Sequence, residues 1–101
     1  DDSSLSYVTQ ADLNNDQHID VLITASSGNY LGFFFGNGHG SFDNLTILPL
    51  SRDSSPSMVA VGDLNQDSNI DLVVGKYGTA NIGVFLGRGD GTFENETIYI
   101  T

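Results

Sequence analysis

Short hydrophobic runs separated by polar and glycine-rich segments are the main pattern along this chain. In the first half they predict strands at about Ser6–Ala11, Val21–Ile23 and Leu31–Phe35, with a fourth strand starting near Phe42. In the second half the corresponding runs are Met58–Gly62, Leu72–Val74 and Ile82–Leu86, with a fourth strand starting near Phe93. No segment has the periodicity of an amphipathic helix. The sequence therefore predicts an all-β fold of short strands.

The third strand of each half is apolar at consecutive positions. Phe33-Phe34-Phe35 and Val84-Phe85-Leu86 leave no polar face for water. Such runs are typical of sheets that are covered on both sides. A β-propeller covers its sheets in this way, because each four-stranded blade stacks between two neighbours. A lone sandwich of two sheets would expose one face of each, so the pattern favours propeller blades.

The second half repeats the first at a shift of 51 residues, without a gap. Asp12-Leu-Asn14-Asn-Asp16-Gln-His-Ile-Asp20 recurs as Asp63-Leu-Asn65-Gln-Asp67-Ser-Asn-Ile-Asp71. Gly36-Asn-Gly38-His-Gly40-Ser-Phe42 recurs as Gly87-Arg-Gly89-Asp-Gly91-Thr-Phe93. We interpret the chain as two copies of one unit, residues 1–50 and 51–101. A period of this length is typical of propeller blades and solenoids.

Each repeat carries an acidic loop between its first two predicted strands. Oxygen-bearing side chains occupy loop positions 1, 3, 5 and 9, a spacing that can form a cage for a hard cation such as Ca²⁺. They are Asp12, Asn14, Asp16 and Asp20 in the first loop, and Asp63, Asn65, Asp67 and Asp71 in the second. The loop is not an EF-hand, because position 12 is Ile23 or Val74 where that motif needs a bidentate Glu. The alternative is a solvated hairpin of Asx turns without an ion.

Composition narrows the partners and the compartment. The net charge of −10, with only three Lys and Arg, argues against nucleic acid or an anionic membrane surface as partner. No run is long enough for membrane insertion. Cysteine is absent, which excludes thiolate sites. Asn44-Leu-Thr46 and Asn95-Glu-Thr97 are N-glycosylation sequons at equivalent positions. Together with loops suited to extracellular calcium, they favour a secreted or cell-surface protein.

The two repeats resemble a known family. From Val8 and from Val59 the order is V-x-x-x-D-L-N-x-D-x-x-I-D-[VL]-[LV]-[IV], followed by G-x-F-x-G-x-G-x-G-[ST]-F. This order is similar to the FG-GAP/VCBS repeat, which builds the calcium-bearing propeller of integrin α subunits and of several propeller lectins. The resemblance covers essentially all of both units. It implies a propeller whose metal loop joins the first and second strands of each blade.

The resemblance also implies a ligand set and exposes one departure. Beside the four side chains of each loop, the backbone carbonyl of His18 or Asn69 would ligate, giving two Ca²⁺ ions per chain. The family usually has Gly at loop position 6, where Gln17 and Ser68 stand here. If that position needs a positive φ, each non-Gly residue costs about 1 kcal/mol, which would weaken the metal affinity.

Two blades do not close a propeller ring. Propellers usually carry four to eight blades, and an open pair would leave apolar faces and strand edges uncovered. Either the neighbouring blades lie in a longer chain, or copies of this chain assemble head to tail. Two blades per chain permit six blades from a trimer or eight from a tetramer. We expect the homo-oligomer.

The function is inferred from the metal loops and from what the sequence lacks. We expect a non-enzymatic, calcium-binding extracellular scaffold for adhesion or recognition, because the carboxylates are already assigned to metal and no catalytic triad is legible. A carbohydrate-binding lectin is the first alternative, with Tyr30 and Tyr77 expected in the loops between second and third strands. A non-catalytic propeller segment of an extracellular enzyme is the second.

Two smaller motifs have simpler interpretations. Arg88-Gly89-Asp90 spells a tripeptide that integrins recognise, but the other repeat has Asn37-Gly38-His39 at that place, so the glycines are interpreted as turn positions. Neither His18 nor His39 has an equivalent histidine in the other repeat, which argues against a zinc site.

Overall fold

Two antiparallel sheets make up the protein. The structure is a computed structural model that describes residues 5–100, with side chains from residue 7 onwards. Sheet 1 has the order β1-β2-β3-β4 and sheet 2 the order β5-β6-β7-β8. The strands are β1 (Leu5–Ala11), β2 (Asp20–Ala25), β3 (Tyr30–Phe34), β4 (Thr46–Pro49), β5 (Pro56–Gly62), β6 (Asp71–Lys76), β7 (Asn81–Phe85) and β8 (Thr97–Ile100). The prediction of two four-stranded antiparallel sheets is confirmed. The unit boundary between residues 50 and 51 stays a prediction.

The two sheets share one register. Ala11 lies opposite Asp20 in sheet 1, and Gly62 lies opposite Asp71 in sheet 2. The second hairpin of each sheet also begins at equivalent positions, with Val21 opposite Phe34 and Leu72 opposite Phe85. Because side chains alternate between the faces of a strand, equal register places equivalent residues on equivalent faces. Each acidic loop therefore leaves the sheet at the same point.

The outer strand of each sheet starts later than predicted. β4 begins at Thr46 and β8 at Thr97, whereas Phe42 and Phe93 form only isolated bridges, to Gly36 and Gly87. After each Phe, one further backbone bond closes the glycine turn, for example from Asp43 N to Phe35 O at 2.8 Å. The chain then leaves the third strand and rejoins it at the β-branched threonine. The aromatic residue ends the turn and does not open the strand.

The connections between second and third strands also differ from expectation. Tyr30 opens β3 opposite Ala25 and does not lie in a loop. Tyr77–Thr79 forms a short 3-10 turn that was not predicted. Its Gly78 N–H donates to Ser54 O at 2.9 Å, and a side chain on Gly78 would collide with the backbone of Asp53. The turn thus depends on a contact between segments distant in sequence.

The core lies between the sheets. Its buried members are Leu13, Leu22, Leu31 and Phe33 from the first repeat and Val59, Leu72, Val74 and Phe85 from the second. The rings of Phe33 and Phe93 stack across this interface with centroids 5.5 Å apart. The other face of each sheet is open in this chain, so two-sided covering is reached on one face only. No helix within residues 5–100 is long and apolar enough to cross a membrane.

Candidate metal centres

Each acidic loop gathers three carboxylates. Asp12, Asp16 and Asp20 each offer an oxygen, and these oxygens lie within 4.8 Å of one another. Asp63, Asp67 and Asp71 do the same in the second repeat. The loops follow β1 and β5, and the last carboxylate of each opens β2 or β6. The three acidic residues of each loop therefore lie close together, and their role as metal ligands stays a prediction.

Hydrogen bonds within the loop explain how the carboxylates converge. Asp12 accepts from the backbone N–H of Asp16 at 3.2 Å and of Gln17 at 2.9 Å. Asp16 accepts from the N–H of His18 at 2.9 Å. Such Asx turns bend the chain around the first carboxylate. The turns leave lone pairs on both carboxylates, so the alternative of a solvated hairpin and the metal site share one local geometry.

Asp20, the last carboxylate of the first loop, also accepts hydrogen bonds from two backbone N–H groups. Asp20 is fully buried, and its two oxygens accept from the N–H groups of Leu13 at 2.8 Å and Gly36 at 2.9 Å. Asp20 therefore joins the first acidic loop to the glycine turn that follows β3. A buried carboxylate is tolerated only when hydrogen bonds or a cation compensate its charge. Sequence spacing identified Asp20 but not these partners.

The second loop reproduces the first. Asp63 accepts from Asp67 N at 3.1 Å and Ser68 N at 2.8 Å. The buried Asp71 accepts from Leu64 N at 2.8 Å and Gly87 N at 2.7 Å. Desolvation acts to raise the pKa of Asp63, but hydrogen bonds from the backbone N–H groups of Ser68 and its neighbours outweigh it and lower the pKa below its ordinary value. This carboxylate is thus ionised at neutral pH, as ligation requires.

The amides at position 3 lie among the carboxylates. One end of the Asn14 side chain is 2.9 Å from Asp16 Oδ1 and 3.2 Å from Asp12 Oδ1. Turned with its nitrogen inward, the amide donates to both carboxylates; turned with its oxygen inward, it adds a fourth oxygen. Asn65 has the same choice in its loop. The amide can therefore donate to the carboxylates when no cation is bound, or offer its oxygen to a bound cation.

Position 6 of both loops has the backbone conformation that favours glycine. The φ angle is 71° at Gln17 and 70° at Ser68. Position 6 therefore does need a positive φ, as considered from the sequence. Both residues carry the strain expected of a non-Gly side chain in the left-handed region.

The donor set fits a hard cation. Side-chain oxygens converge in each loop, and hard divalent ions such as Ca²⁺ prefer oxygen ligands. The His18 imidazole lies outside the cluster, with Nδ1 3.7 Å from Asp16 Oδ2. Ligation by the backbone carbonyls of His18 and Asn69 stays a prediction.

One protein-family model matches this sequence. The model of the FG-GAP-like repeat matches residues 12–74, from the first acidic loop to the second and on into β6. The chain belongs to the FG-GAP-like repeat family. No curated protein and no solved structure matches it. The two sheets are accordingly called blade 1 and blade 2 from here on.

The tripeptide Arg88-Gly89-Asp90 lies in the glycine turn of blade 2. Gly89 has a φ of 82°, which only glycine adopts freely. Asp90 accepts from Thr92 N at 3.0 Å and from Thr92 Oγ1, and these bonds lower its pKa. Arg88 donates to Phe93 O at 2.9 Å. All three residues of the tripeptide are engaged in the turn, which agrees with the interpretation of its glycine as a turn position.

One polar contact between the blades was not predicted. The Asn15 amide, at loop position 4 of blade 1, donates to Asn69 Oδ1 and to Gly89 O, both at 3.2 Å. It connects the first acidic loop to the second acidic loop and to the glycine turn of blade 2. Asn15 has a φ of 59°, which Asn tolerates better than most residues. The spacing of residues along the sequence does not predict the contact of Asn15 with Asn69 and Gly89, because it forms only when the two blades stack.

Proposed function

We propose that this chain is a calcium-binding β-propeller module that serves as a non-enzymatic extracellular scaffold for adhesion or recognition. The observation that carries the proposal is the pair of equivalent loops in which three carboxylates lie within 4.8 Å. Two loops with the same hydrogen bonds, in a family that carries calcium in its propellers, support one ion per repeat.

The ligands would be the oxygens already described. They are the side chains of Asp12, Asn14, Asp16 and Asp20 with the His18 carbonyl, and those of Asp63, Asn65, Asp67 and Asp71 with the Asn69 carbonyl. A bound ion supplies positive charge that offsets the repulsion among the three carboxylates. Because Asp20 also holds Leu13 and Gly36, neutralising this loop would tighten the first two strands against the glycine turn. The role of calcium is therefore structural.

The extracellular setting is supported by the positions of the sequons. Asn44 and Asn95 are exposed and lie just before the outer strands, with their threonines opening β4 and β8. Glycans there would point away from the core between the blades. Extracellular calcium modules commonly work with dissociation constants of about 10⁻⁴ to 10⁻³ M, which suits loops strained at position 6.

Calorimetric titration with Ca²⁺ tests the proposal. We expect two sites per chain, one lost in Asp16→Asn and the other lost in Asp67→Asn. Asp43→Asn is the matched control, because it removes the same charge from an exposed carboxylate outside both loops. Excess chelator should lower the melting temperature of the unmodified chain. A chain that shows no calcium heat and a melting temperature unchanged by chelator would refute the calcium role.

Carbohydrate binding is the second candidate, favoured by one observation. Tyr77 is 84% exposed and, with Asn81 and Ser57, lines an open cavity of about 290 Å³. Aromatic rings with nearby polar groups suit sugar stacking, although Tyr30 is half-buried in β3 and offers no equivalent surface. Binding on a glycan array that disappears in Tyr77→Ala, and not in Tyr99→Ala, would support it. The enzyme-associated alternative stays a prediction.

A further inference from the structure

The contact between the blades joins two different faces of one repeated unit. We define the forward face as Leu22, Leu31 and Phe33 in blade 1 and, 51 residues on, Val73, Ile82 and Val84 in blade 2. The rear face is Val8, Ile23 and Phe34 in blade 1, equivalent to Val59, Val74 and Phe85 in blade 2. Cross-strand pairing places the members of each set on one side of their sheet. The core is the forward face of blade 1 against the rear face of blade 2.

The two remaining faces are apolar and open. Val59 in the formed contact is 2% exposed, whereas its equivalent Val8 on the free rear face is 53% exposed. Leu31 is fully buried in the formed contact, whereas its equivalent Ile82 on the free forward face is only half-buried. Each free face thus has the residue pattern of a face that is buried elsewhere in the same chain.

We propose that a second copy of this chain covers these faces: the forward face of blade 2 in one copy packs on the rear face of blade 1 in the next. The occupant is argued from the contact already formed. The unit that supplies the free forward face also supplies the forward face that is buried within the chain, and the same holds for the rear face. A second copy therefore offers both complements at once.

An open cavity beside Gly40 on blade 1 supports this arrangement. In the contact between the blades, the Phe35 ring lies over Gly91, where an added Cβ would be 3.0 Å from the ring. At the equivalent Gly40, nothing lies within 4 Å. A cavity of about 350 Å³ occupies this place, bordered by Gly38 and by Phe42, whose side chain is 48% exposed. In the next copy, the equivalent of Phe35 is Leu86, which would fill the cavity.

The polar contact of the formed interface has equivalents on the free faces. Within the chain, Asn15 donates to Asn69 Oδ1 and Gly89 O. The residues 51 positions away are Gln66 for the donor, and His18 and Gly38 for the acceptors. Gln66 of one copy would therefore donate to the Gly38 carbonyl of the next. Gln66 has a φ of 61°, close to the 59° of Asn15, so both loops present this side chain alike.

A contact between unlike faces either closes into a ring or continues as a filament. Blades that stack with a constant rotation close at the blade counts found in propellers, and here this gives six blades from three copies or eight from four. The packed faces are apolar side chains and not the carboxylates, but Gln66 and His18 of the polar contact belong to the acidic loops, so the contact is tested both in calcium and in chelator.

Light scattering over a range of concentrations, with and without chelator, tests the contact. In calcium we expect one discrete species of three or four times 10.8 kDa. Val8→Lys blocks the rear face and Val73→Lys blocks the forward face, so each variant alone should be a monomer. An equimolar mixture should form a dimer, because each variant keeps one intact face. Thr79→Lys, exposed in the 3-10 turn and outside the strands that form both free faces, should keep the mass of the unmodified chain.

The mixing experiment separates this contact from its rivals. An unmodified chain that is monomeric at every concentration overturns the proposal. So does a dimer of either blocked variant alone, which would mean that like faces pair. Far-UV circular dichroism checks that the variants fold, and Ile82→Lys replaces Val73→Lys if that variant loses its β-sheet signal.

Discussion

At the scale of single residues, strain at loop position 6 makes the first prediction. Gln17→Gly and Ser68→Gly should each relieve about 1 kcal/mol of left-handed strain, partly offset by the greater freedom of glycine in the unfolded chain. We expect the free energy of unfolding to rise by up to about 1 kcal/mol in each variant, measured by chemical denaturation. Ser51→Gly is the control, since Ser51 lies outside the loops and has no positive φ. A markedly lower free energy of unfolding in Ser68→Gly would contradict the strain argument.

The buried carboxylate should behave unlike the exposed ones when calcium is removed. In chelator, Asp16→Asn should leave the protein at least as stable, because it relieves repulsion. Asp20→Asn should destabilise it by about 1–3 kcal/mol, because one buried N–H, of Leu13 or Gly36, loses its acceptor. Chemical denaturation of both variants measures the difference. Equal stability would mean that Asp20 serves only the ion.

The sequence revealed the residue types of the site but only part of their roles. The spacing of Asp at positions 1, 5 and 9 was enough to predict that the carboxylates of each loop lie together. The partner of Asp20 at Gly36 could not be deduced, because it lies 16 residues away and depends on how the turn after β3 returns to the loop. Side-chain chemistry is local in sequence, whereas hydrogen-bond partners are set by the fold.

At the scale of elements, a buried ion pair distinguishes the two sheets. Lys76 of β6 is 1% exposed and pairs with Glu96, just before β8, across Gly83. The equivalent positions of sheet 1 hold the apolar Ala25 and Leu45. Glu96→Leu alone should cost about 3–5 kcal/mol, because it leaves a buried ammonium without a partner.

The double variant Lys76→Met with Glu96→Leu removes both charges and keeps the buried volume at position 76, so it should be near neutral or stabilising. Thermal and denaturant unfolding of the two variants provide the comparison. A double variant that is as unstable as Glu96→Leu alone would show that the packing of these side chains, and not their charge, is decisive.

Strand prediction succeeded where hydrophobicity alone decides the element. The first three strands of each sheet lie within a few residues of the hydrophobic runs. The fourth strand was misplaced, because Phe42 and Phe93 belong to bridges that close the glycine turns. The 3-10 turn at Tyr77–Thr79 escaped prediction because it depends on the contact of Gly78 with Ser54. Elements fixed by tertiary contacts leave no periodic signal.

At the scale of the whole molecule, the sequence predicted two blades but not which of their faces pack together. Two nearly equivalent units have the same apolar pattern on both sides of their sheets, so the pattern alone does not tell which faces meet. The structure breaks this symmetry, because blade 1 buries its forward face and blade 2 its rear face.

The bridge between the acidic loops predicts coupling between the two proposed calcium sites. Asn15 stands between the proposed ligands Asn14 and Asp16, and its amide holds Asn69 of the second loop. Ordering one loop around an ion therefore prepares the other, and such coupling is reciprocal. We expect calcium at one site to raise the affinity of the other about fivefold, at the lower end of typical couplings.

Removing the bridge should remove the coupling. Calorimetric constants of the intact chain, compared with those of the single-site variants Asp16→Asn and Asp67→Asn, measure it. Asn15→Ala should make the two sites independent while both still bind. Gln66→Ala, measured in the Val8→Lys background so that no neighbouring copy is engaged, is the matched control and should leave the coupling intact. Unchanged coupling in Asn15→Ala would place the connection in the packed faces between the blades, and not in the loops.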